Sequence, residues 1–195
     1  MLSVVIATHD SERALLPTLV ALVAGAAAGV VREVIVADAG SRDTTAAIAD
    51  GAGCRVLTSA QTRGARLKTA AATARAPWLL FLAPGTVPDA TWIEDTRRFI
   101  EQAELRGCAA TRAAAFRPGS ATFRPALVEA LALLWAALGA RPDASQGLLI
   151  ARSLYDALGG HRDVAEPERD LGRRLGRRRL VLLRSGAIAE ASADS

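Results

Sequence analysis

The chain has 195 residues, 51% of them apolar, with a formal net charge of +4 and a sequence pI of about 10.0. That length holds one domain with a proper core and is short for two, and the composition excludes a disordered chain. The positive excess comes from arginine more than lysine and is scattered, which fits an ordinary surface as well as phosphate or carboxylate recognition.

Met1 to Ile6 lacks the basic start and cleavage site of a signal peptide and reads as the approach to a first strand, Ser3 to Ala7. Thr8-His9-Asp10-Ser11 forms the strand-end loop. A helix is predicted from Arg13 to Ala27, with Leu15, Leu16, Leu19, Leu22 and Val23 on one face and Gly29 as its stop. Val34-Ile35-Val36-Ala37 is a short buried strand with Asp38 at its end. Ala39-Gly40-Ser41 then turns the chain, and Asp43 is placed to cap a helix reaching about Ala49.

Cys54 to Leu57 is a third strand, and Thr62 to Arg75 a helix with Arg63, Gly64, Arg66 and Lys68 near its start. Trp78 to Leu82 is a fully apolar strand broken by Ala83-Pro84-Gly85-Thr86. The alternation β-α-β-α-β-α-β predicts a mainly parallel central sheet with helices on both faces. In such sheets ligands bind outside the carboxyl ends of the strands, which places Asp38, Ser41 and Asp43 where a ligand would be read.

Pro88-Asp89 opens a helix to about Ala103, and Gly107 to Phe116 is a strand weakened by its alanines. Pro125 to Leu138 is strongly helical, with Glu129 as its only charge. Its apolar residues suit a partner subunit, a membrane interface or the rest of the domain, and it is too short to cross a bilayer. Ser145-Gln146-Gly147 leads into Leu148-Leu149-Ile150, and a short helix ends at Gly159-Gly160. A polar stretch, His161 to Asp170, precedes the basic run Arg173 to Arg179. Leu180 to Leu183 is a last strand, and residues 187–195 are expected to fray. The whole is one domain over residues 1–186, its two halves about 1–88 and about 89–186.

Cys54 and Cys108 form neither a disulfide framework nor a zinc spacing, which fits a reducing cytoplasm. GxGxxG, P-loop and GxSxG signatures are absent. His9 and His161 read as surface or loop residues. The basic run is either a solvated helix end or a phospholipid-facing patch. Nucleic acid is not expected, since no aromatic residues interleave with it.

Thr8-His9-Asp10, Ala37-Asp38-Ala39-Gly40-Ser41-Arg42-Asp43-Thr44-Thr45 and Trp78-Leu79-Leu80-Phe81-Leu82 resemble the family 2 glycosyltransferases, whose second motif has the form V-D-x-G-S-x-D-x-T. Arg63-Gly64-Ala65-Arg66-Leu67-Lys68 is similar to their R-G-x-Q-x-N segment. Ser145-Gln146-Gly147 and Leu158-Gly159-Gly160-His161 are similar to the acceptor-side D-Q-G and L-G-G-F motifs. The resemblance spans roughly residues 3–180 and is greatest to the short bacterial branch.

It implies a single GT-A-like, Rossmann-like α/β domain that takes a nucleotide-diphosphate sugar as donor. Asp38 would accept a hydrogen bond from the base, Thr8 and Asp10 would lie along the nucleotide, and Arg63 and Lys68 near its phosphates. Gln146 and Gly147 would stand on the acceptor side, and Glu168 or Asp170 would be the catalytic base. Three departures stand out. The acidic D-x-D-like motif that holds a divalent metal in the family reads Ala83-Pro84-Gly85, the acidic position of D-Q-G is Ser145, and the E-D motif that supplies the catalytic base reads Glu166-Pro167-Glu168-Arg169-Asp170. A transferase working without a bound metal is therefore expected, its diphosphate charge offset by Arg63, Arg66 and Lys68. The alternatives are an inactive relative serving as a nucleotide- or protein-binding module, and a nucleotidyltransferase, which would need a Gly-rich, Lys-bearing first loop. A cytoplasmic protein is expected, as a homo-oligomer or in peripheral contact with the inner membrane face through residues 125–138.

Overall fold

The computed structural model describes residues 1–118 and 147–189. The helix expected over 125–138, and Ser145 and Gln146, lie outside those residues. Four strands alternate with three helices as the periodicity predicts: β1 (Leu2–Thr8), α1 (Glu12–Ala27), β2 (Val31–Asp38), α2 (Thr45–Gly51), β3 (Arg55–Thr58), α3 (Arg63–Thr73) and β4 (Trp78–Leu82). The second half adds β5 (Thr86–Pro88), α4 (Trp92–Leu105), β6 (Ala113–Pro118), β7 (Leu148–Ala151), α5 (Arg152–Ala157), α6 (Pro167–Leu175), a 3-10 turn (Arg177–Arg179) and β8 (Leu180–Ala189).

The eight strands form one sheet in the order β3-β2-β1-β4-β7-β6-β8-β5. It is mixed, which corrects the expectation of a mainly parallel sheet. β3, β2, β1 and β4 pair in parallel, β7 runs antiparallel to both β4 and β6, β8 is parallel to β6, and β5 is antiparallel to β8. The crossover pattern of the first half dictates the parallel part. In the second half β7 inserts between β4 and β6 in the opposite direction, a long-range pairing that no local pattern encodes.

Period-two alternation divides the strands between two cores. Leu2, Val4 and Ile6 of β1 and Trp78, Leu80 and Leu82 of β4 face α1 and α4. Val5, Ala7, Leu79 and Phe81 face α3, α5 and α6. In α1 the buried residues are Leu15, Thr18, Leu19, Leu22 and Gly25, whereas Leu16, Val20 and Val23 stay 54%, 64% and 65% exposed. The apolar stripe of this helix is thus wider than the face it buries. Ala113, Ala114 and Ala115 have weak strand propensity but are at most 1% exposed between β7 and β8, so pairing overrides propensity there. β8 continues past Leu183 to Ala189 because its last residues pair with β5, and residues 187–189 are strand and not a frayed tail.

Gly64 lets α3 dock against the segment leading into α6. A Cβ at that position would lie 2.0 Å from the Arg162 carbonyl oxygen and 3.2 Å from Pro167 Cβ. Backbone cannot yield as a flexible side chain does, so Gly64→Ala is expected to destabilise the domain by about 2 kcal/mol. Urea denaturation with an unchanged m-value would measure this; an unchanged midpoint would contradict the packing.

Candidate functional site

Parallel register sets Thr8 of β1 beside Asp38 of β2 at the carboxyl ends of both strands. Asp38 is 1% exposed and its carboxylate accepts four hydrogen bonds. Thr8 Oγ1 (2.7 Å) and Ser41 Oγ (2.5 Å) donate to Oδ1, and the Gly40 (2.8 Å) and Ser41 (2.7 Å) N–H groups donate to Oδ2. Burial pushes this carboxyl group's pKa upward, but the bonds from Ser41, Thr8 and Gly40 outweigh it and leave it below the ordinary value. Four donors match the four principal acceptor positions of a carboxylate. In this conformation all four donors to Asp38 come from Thr8 and the loop that follows Asp38, so Asp38 organises the loops.

The loops after β1 and β2 are bonded reciprocally. Asp10, at a left-handed φ of 44°, accepts the Arg42 N–H at 2.7 Å, and its own N–H donates to Ser41 Oγ at 2.9 Å. Ser11 N–H donates to Thr45 Oγ1 at 2.8 Å. Asp43 accepts from the Thr45 N–H (2.9 Å) at the start of α2 and also from the Glu12 N–H (3.1 Å) at the start of α1. The cap expected for one helix therefore serves two.

Arginines close the same end of the sheet. Arg66 is 7% exposed, and its Nη1 donates to the carbonyls of Thr8 (2.9 Å) and Ala37 (2.5 Å), one on each strand. Burial, and then the neighbouring Arg63, pull its pKa down, opposed by Asp38. Arg63 donates through Nε to Glu168 Oε1 at 2.5 Å and through Nη1 to the Ala7 carbonyl at 3.4 Å. The structure thus brings Glu168 to the strand ends, although it lies 105 residues from Arg63 in sequence. Asp170 is directed elsewhere: it pairs with Arg174 at 2.7 Å, and Arg174 also holds the Leu158 and Gly160 carbonyls. Lys68 does not join the cluster. It is exposed, makes no hydrogen bond or ion pair among the described residues, and lies two residues beyond Arg66, about 200° around the helix. Gly147, at φ 65°, immediately precedes β7, and a Cβ there would sit 2.7 Å from a Leu82 methyl.

Two further residues stand out, Arg66 and His161. Arg66 had a signal, a cation where the resembling segment carries Gln. His161, at the Phe position of the resembling L-G-G-F segment, stands in a loop as expected but is 1% exposed and not a surface residue. Its N–H donates to Tyr155 Oη at 3.0 Å, and its Nδ1 lies 2.9 Å from the same oxygen. A Tyr oxygen that accepts the backbone N–H spends its own proton best on Nδ1, so the ring proton resides on Nε2, which is buried without a hydrogen-bond partner among the described residues. The ring meets Phe81 edge-on at 4.7 Å. Burial drops the His161 pKa to about 4, with Glu168 opposing and Arg174 and Arg63 assisting, and burial raises Tyr155 to about 12.

The turn after β4 folds back on α1, with the Gly85 N–H donating to the Ala14 carbonyl at 2.8 Å. Ala83, Pro84 and Gly85 carry no oxygen-bearing side chain. Among the described residues no three His, Cys, Asp or Glu side chains converge as metal ligands. A hard divalent cation prefers several oxygen ligands, charged ones above all, and at this turn the described residues offer only backbone carbonyls.

The family model described as "Glycosyl transferase family 2" matches residues 3–159. No curated protein sequence matches the chain. Among solved structures, S. aureus TarS 1-349 in complex with UDP superposes with a TM-score of 0.70 at 15% identity, over 98% of this chain and 60% of that one. Glucosyl-3-phosphoglycerate synthase from Mycobacterium tuberculosis, in complex with Mn2+, UDP and glucosyl-3-phosphoglycerate, gives 0.65 at 19% identity, over 100% and 72%. A mannosyltransferase from Pyrobaculum calidifontis, in complex with GDP-Man and Mn2+, gives 0.70 at 14% identity, over 98% and 57%. At these identities the likeness is one of fold. The chain spans about 60% of the TarS piece and of the mannosyltransferase.

Asp38→Ala strands two hydroxyls and two N–H groups at a buried point, so it is expected to cost about 2–4 kcal/mol and not to leave stability intact. Asp38→Asn, which keeps the shape, is expected to cost less; chemical denaturation compares the two. For His161 the unfolded ring titrates near the ordinary 6.5 and the folded ring near 4. Between those values the unfolded chain holds more proton, so stability falls as pH drops from 6.5 to 4, by up to about 3 kcal/mol. His161→Phe should flatten that window while leaving the loss below pH 4, where the depressed Asp38 carboxylate is protonated.

Proposed function

The chain belongs to glycosyl transferase family 2, and from that premise we propose that it transfers a sugar from a nucleotide-diphosphate donor to an acceptor hydroxyl without a resident divalent metal. The observation that carries this reading is the Arg63–Glu168 pair at the carboxyl ends of the parallel strands, beside the amino end of α3 and opposite a turn with no carboxylate. The nucleotide complexes of the structural neighbours support a nucleotide sugar as the donor.

The acceptor oxygen attacks the anomeric carbon as the bond from that carbon to the diphosphate oxygen breaks. Glu168 takes the acceptor's proton, and the diphosphate leaves with the bonding electron pair. Arg63 and the N–H groups at the start of α3 face the charge that develops on the leaving group. Arg66 is already held by two carbonyls, so it adds fixed positive charge and strand-end order without contacting the phosphates. Asp170, committed to Arg174, takes no part. Thr8 and Asp38 act through the loop geometry they hold. The exposed Asp10 carboxylate is in reach of a ribose hydroxyl or a base N–H.

The sequence at residues 83–85 also favours a second reading, a family member that binds nucleotide without turnover. Titration calorimetry with UDP and GDP, and a transfer assay with UDP- and GDP-sugars, separate the two. We expect equal nucleotide affinity in EDTA and in manganese, and a loss of tenfold or more, about 1.4 kcal/mol, for Arg63→Ala. A tenfold gain on adding manganese would overturn the metal-free reading. Glu168→Gln should slow transfer at least about a hundredfold with nucleotide affinity kept. Nucleotide binding with neither transfer nor hydrolysis by the wild-type chain would establish the second reading.

A further inference from the structure

The sheet's polarity gives the molecule two unlike edges. β6 and β8 run in the same direction as β1 and β2, so their amino ends lie on the edge opposite Asp38 and Arg66. At that opposite edge Ala113 of β6 pairs in parallel with Leu180 of β8, which sets the preceding residues, Arg112 and Arg179, side by side. Arg106, at the carboxyl end of α4, lines one small cavity of about 70 Å³ together with Arg112, Phe99 and Val181. Arg178 belongs to the same turn as Arg179.

All four of these arginines are exposed, and none makes an ion pair or hydrogen bond through its side chain among the described residues. Arg177 of the same turn is engaged within the chain and is not counted with them. Elsewhere Arg63, Arg98, Arg169 and Arg174 each have a carboxylate partner. Two acids lie on the neighbouring turns of α4: Glu104 accepts from Trp78 Nε1 at 3.0 Å, and Glu101 is exposed. Complementing the α4 dipole accounts for one cation at its end, Arg106, but not for Arg112, Arg178 and Arg179. Beside Arg106 projects Leu105, 87% exposed, the most exposed large apolar side chain among the described residues.

We propose that this edge is a docking surface for an anionic lipid bilayer, with Arg106, Arg112, Arg178 and Arg179 on the headgroup phosphates and Leu105 entering the interface. Clustered arginine at the end of a fold is attracted to anionic headgroups, and one apolar side chain adds a contact that a soluble polyanion does not use. The aromatic ring at the patch, Phe99, is half-buried against Trp78 and not free to stack on a base, which favours lipid over nucleic acid. A chain held this way presents its strand-end loops away from the bilayer. The attachment proposed is peripheral, and no helix among the described residues is long and apolar enough to cross a membrane. The inference is independent of catalysis, because none of the five residues belongs to the proposed donor site.

Vesicle co-sedimentation tests it, using phosphatidylcholine with and without phosphatidylglycerol. The intact chain should bind the anionic vesicles and not the neutral ones, and about 1 M salt should release it. Replacing the four arginines together by glutamine should weaken binding at least tenfold. Leu105→Ser, at a position too exposed to affect folding, should weaken it severalfold. Equal binding by the quadruple variant with native circular dichroism overturns the proposal, as does equal binding to neutral vesicles. An unchanged affinity for Leu105→Ser, or displacement from vesicles by single-stranded DNA at lower concentration than by free anionic lipid, would assign the patch to soluble polyanions instead.

Discussion

Everything at the candidate site depends on the carboxylate of Asp38 being satisfied from within the chain. A buried, ionised carboxylate is tolerable only when donors converge on it. Here they come from both strand-end loops: Thr8 from the first, and Gly40 and Ser41 from the second. Because Ser41 also receives the Asp10 N–H, and Asp43 receives the Glu12 N–H, one buried charge fixes two loops and the starts of two helices relative to each other. A preorganised rim of this kind lets a ligand bind without first ordering the loops.

Arg66 supplies the opposite charge below that rim. Its guanidinium joins the Thr8 and Ala37 carbonyls, so the two parallel strands are tied at their ends by a cation as well as by their ladder. One turn earlier, Arg63 reaches over the strand ends to Glu168. That reach is possible because Gly64 allows α3 to approach the Arg162–Pro167 backbone. Arg63 is thus matched by the Glu168 carboxylate and Arg66 by backbone carbonyls, and Ala83-Pro84-Gly85 adds no charge. Arg63 and Arg66 stand together at the carboxyl edge of the sheet.

The two edges of the sheet carry different arginines. Arg63 and Arg66 at the carboxyl edge are held by a carboxylate and by carbonyls, whereas Arg112 and Arg179 at the amino edge are exposed without a side-chain partner among the described residues. The polarity follows from β6 and β8 running with β1, a direction they acquire through the reversed β7 between β4 and β6.

Local pattern was sufficient for the first half of the molecule. Apolar runs of strand length, the helical spacing of the leucines in α1 and the turn at Gly40-Ser41 together dictate β-α-β crossovers, and these bring Asp38, Ser41 and Asp43 to the carboxyl edge. The Arg63-Gly64 segment was legible for the same reason, since it opens the helix that follows β3. Tertiary structure alone decided the rest. Which acid joins Arg63, Glu168 or Asp170, depends on how the faces of α6 meet α3 and α5, a contact between segments a hundred residues apart. That Lys68 points away from Arg66 is a matter of helical phase against a particular neighbour. The burial of His161 depends on Tyr155 and Phe81 closing around it. The mixed sheet and the length of β8 come from strands pairing across the chain, where the free energy lies in the partner and not in the strand's own residues.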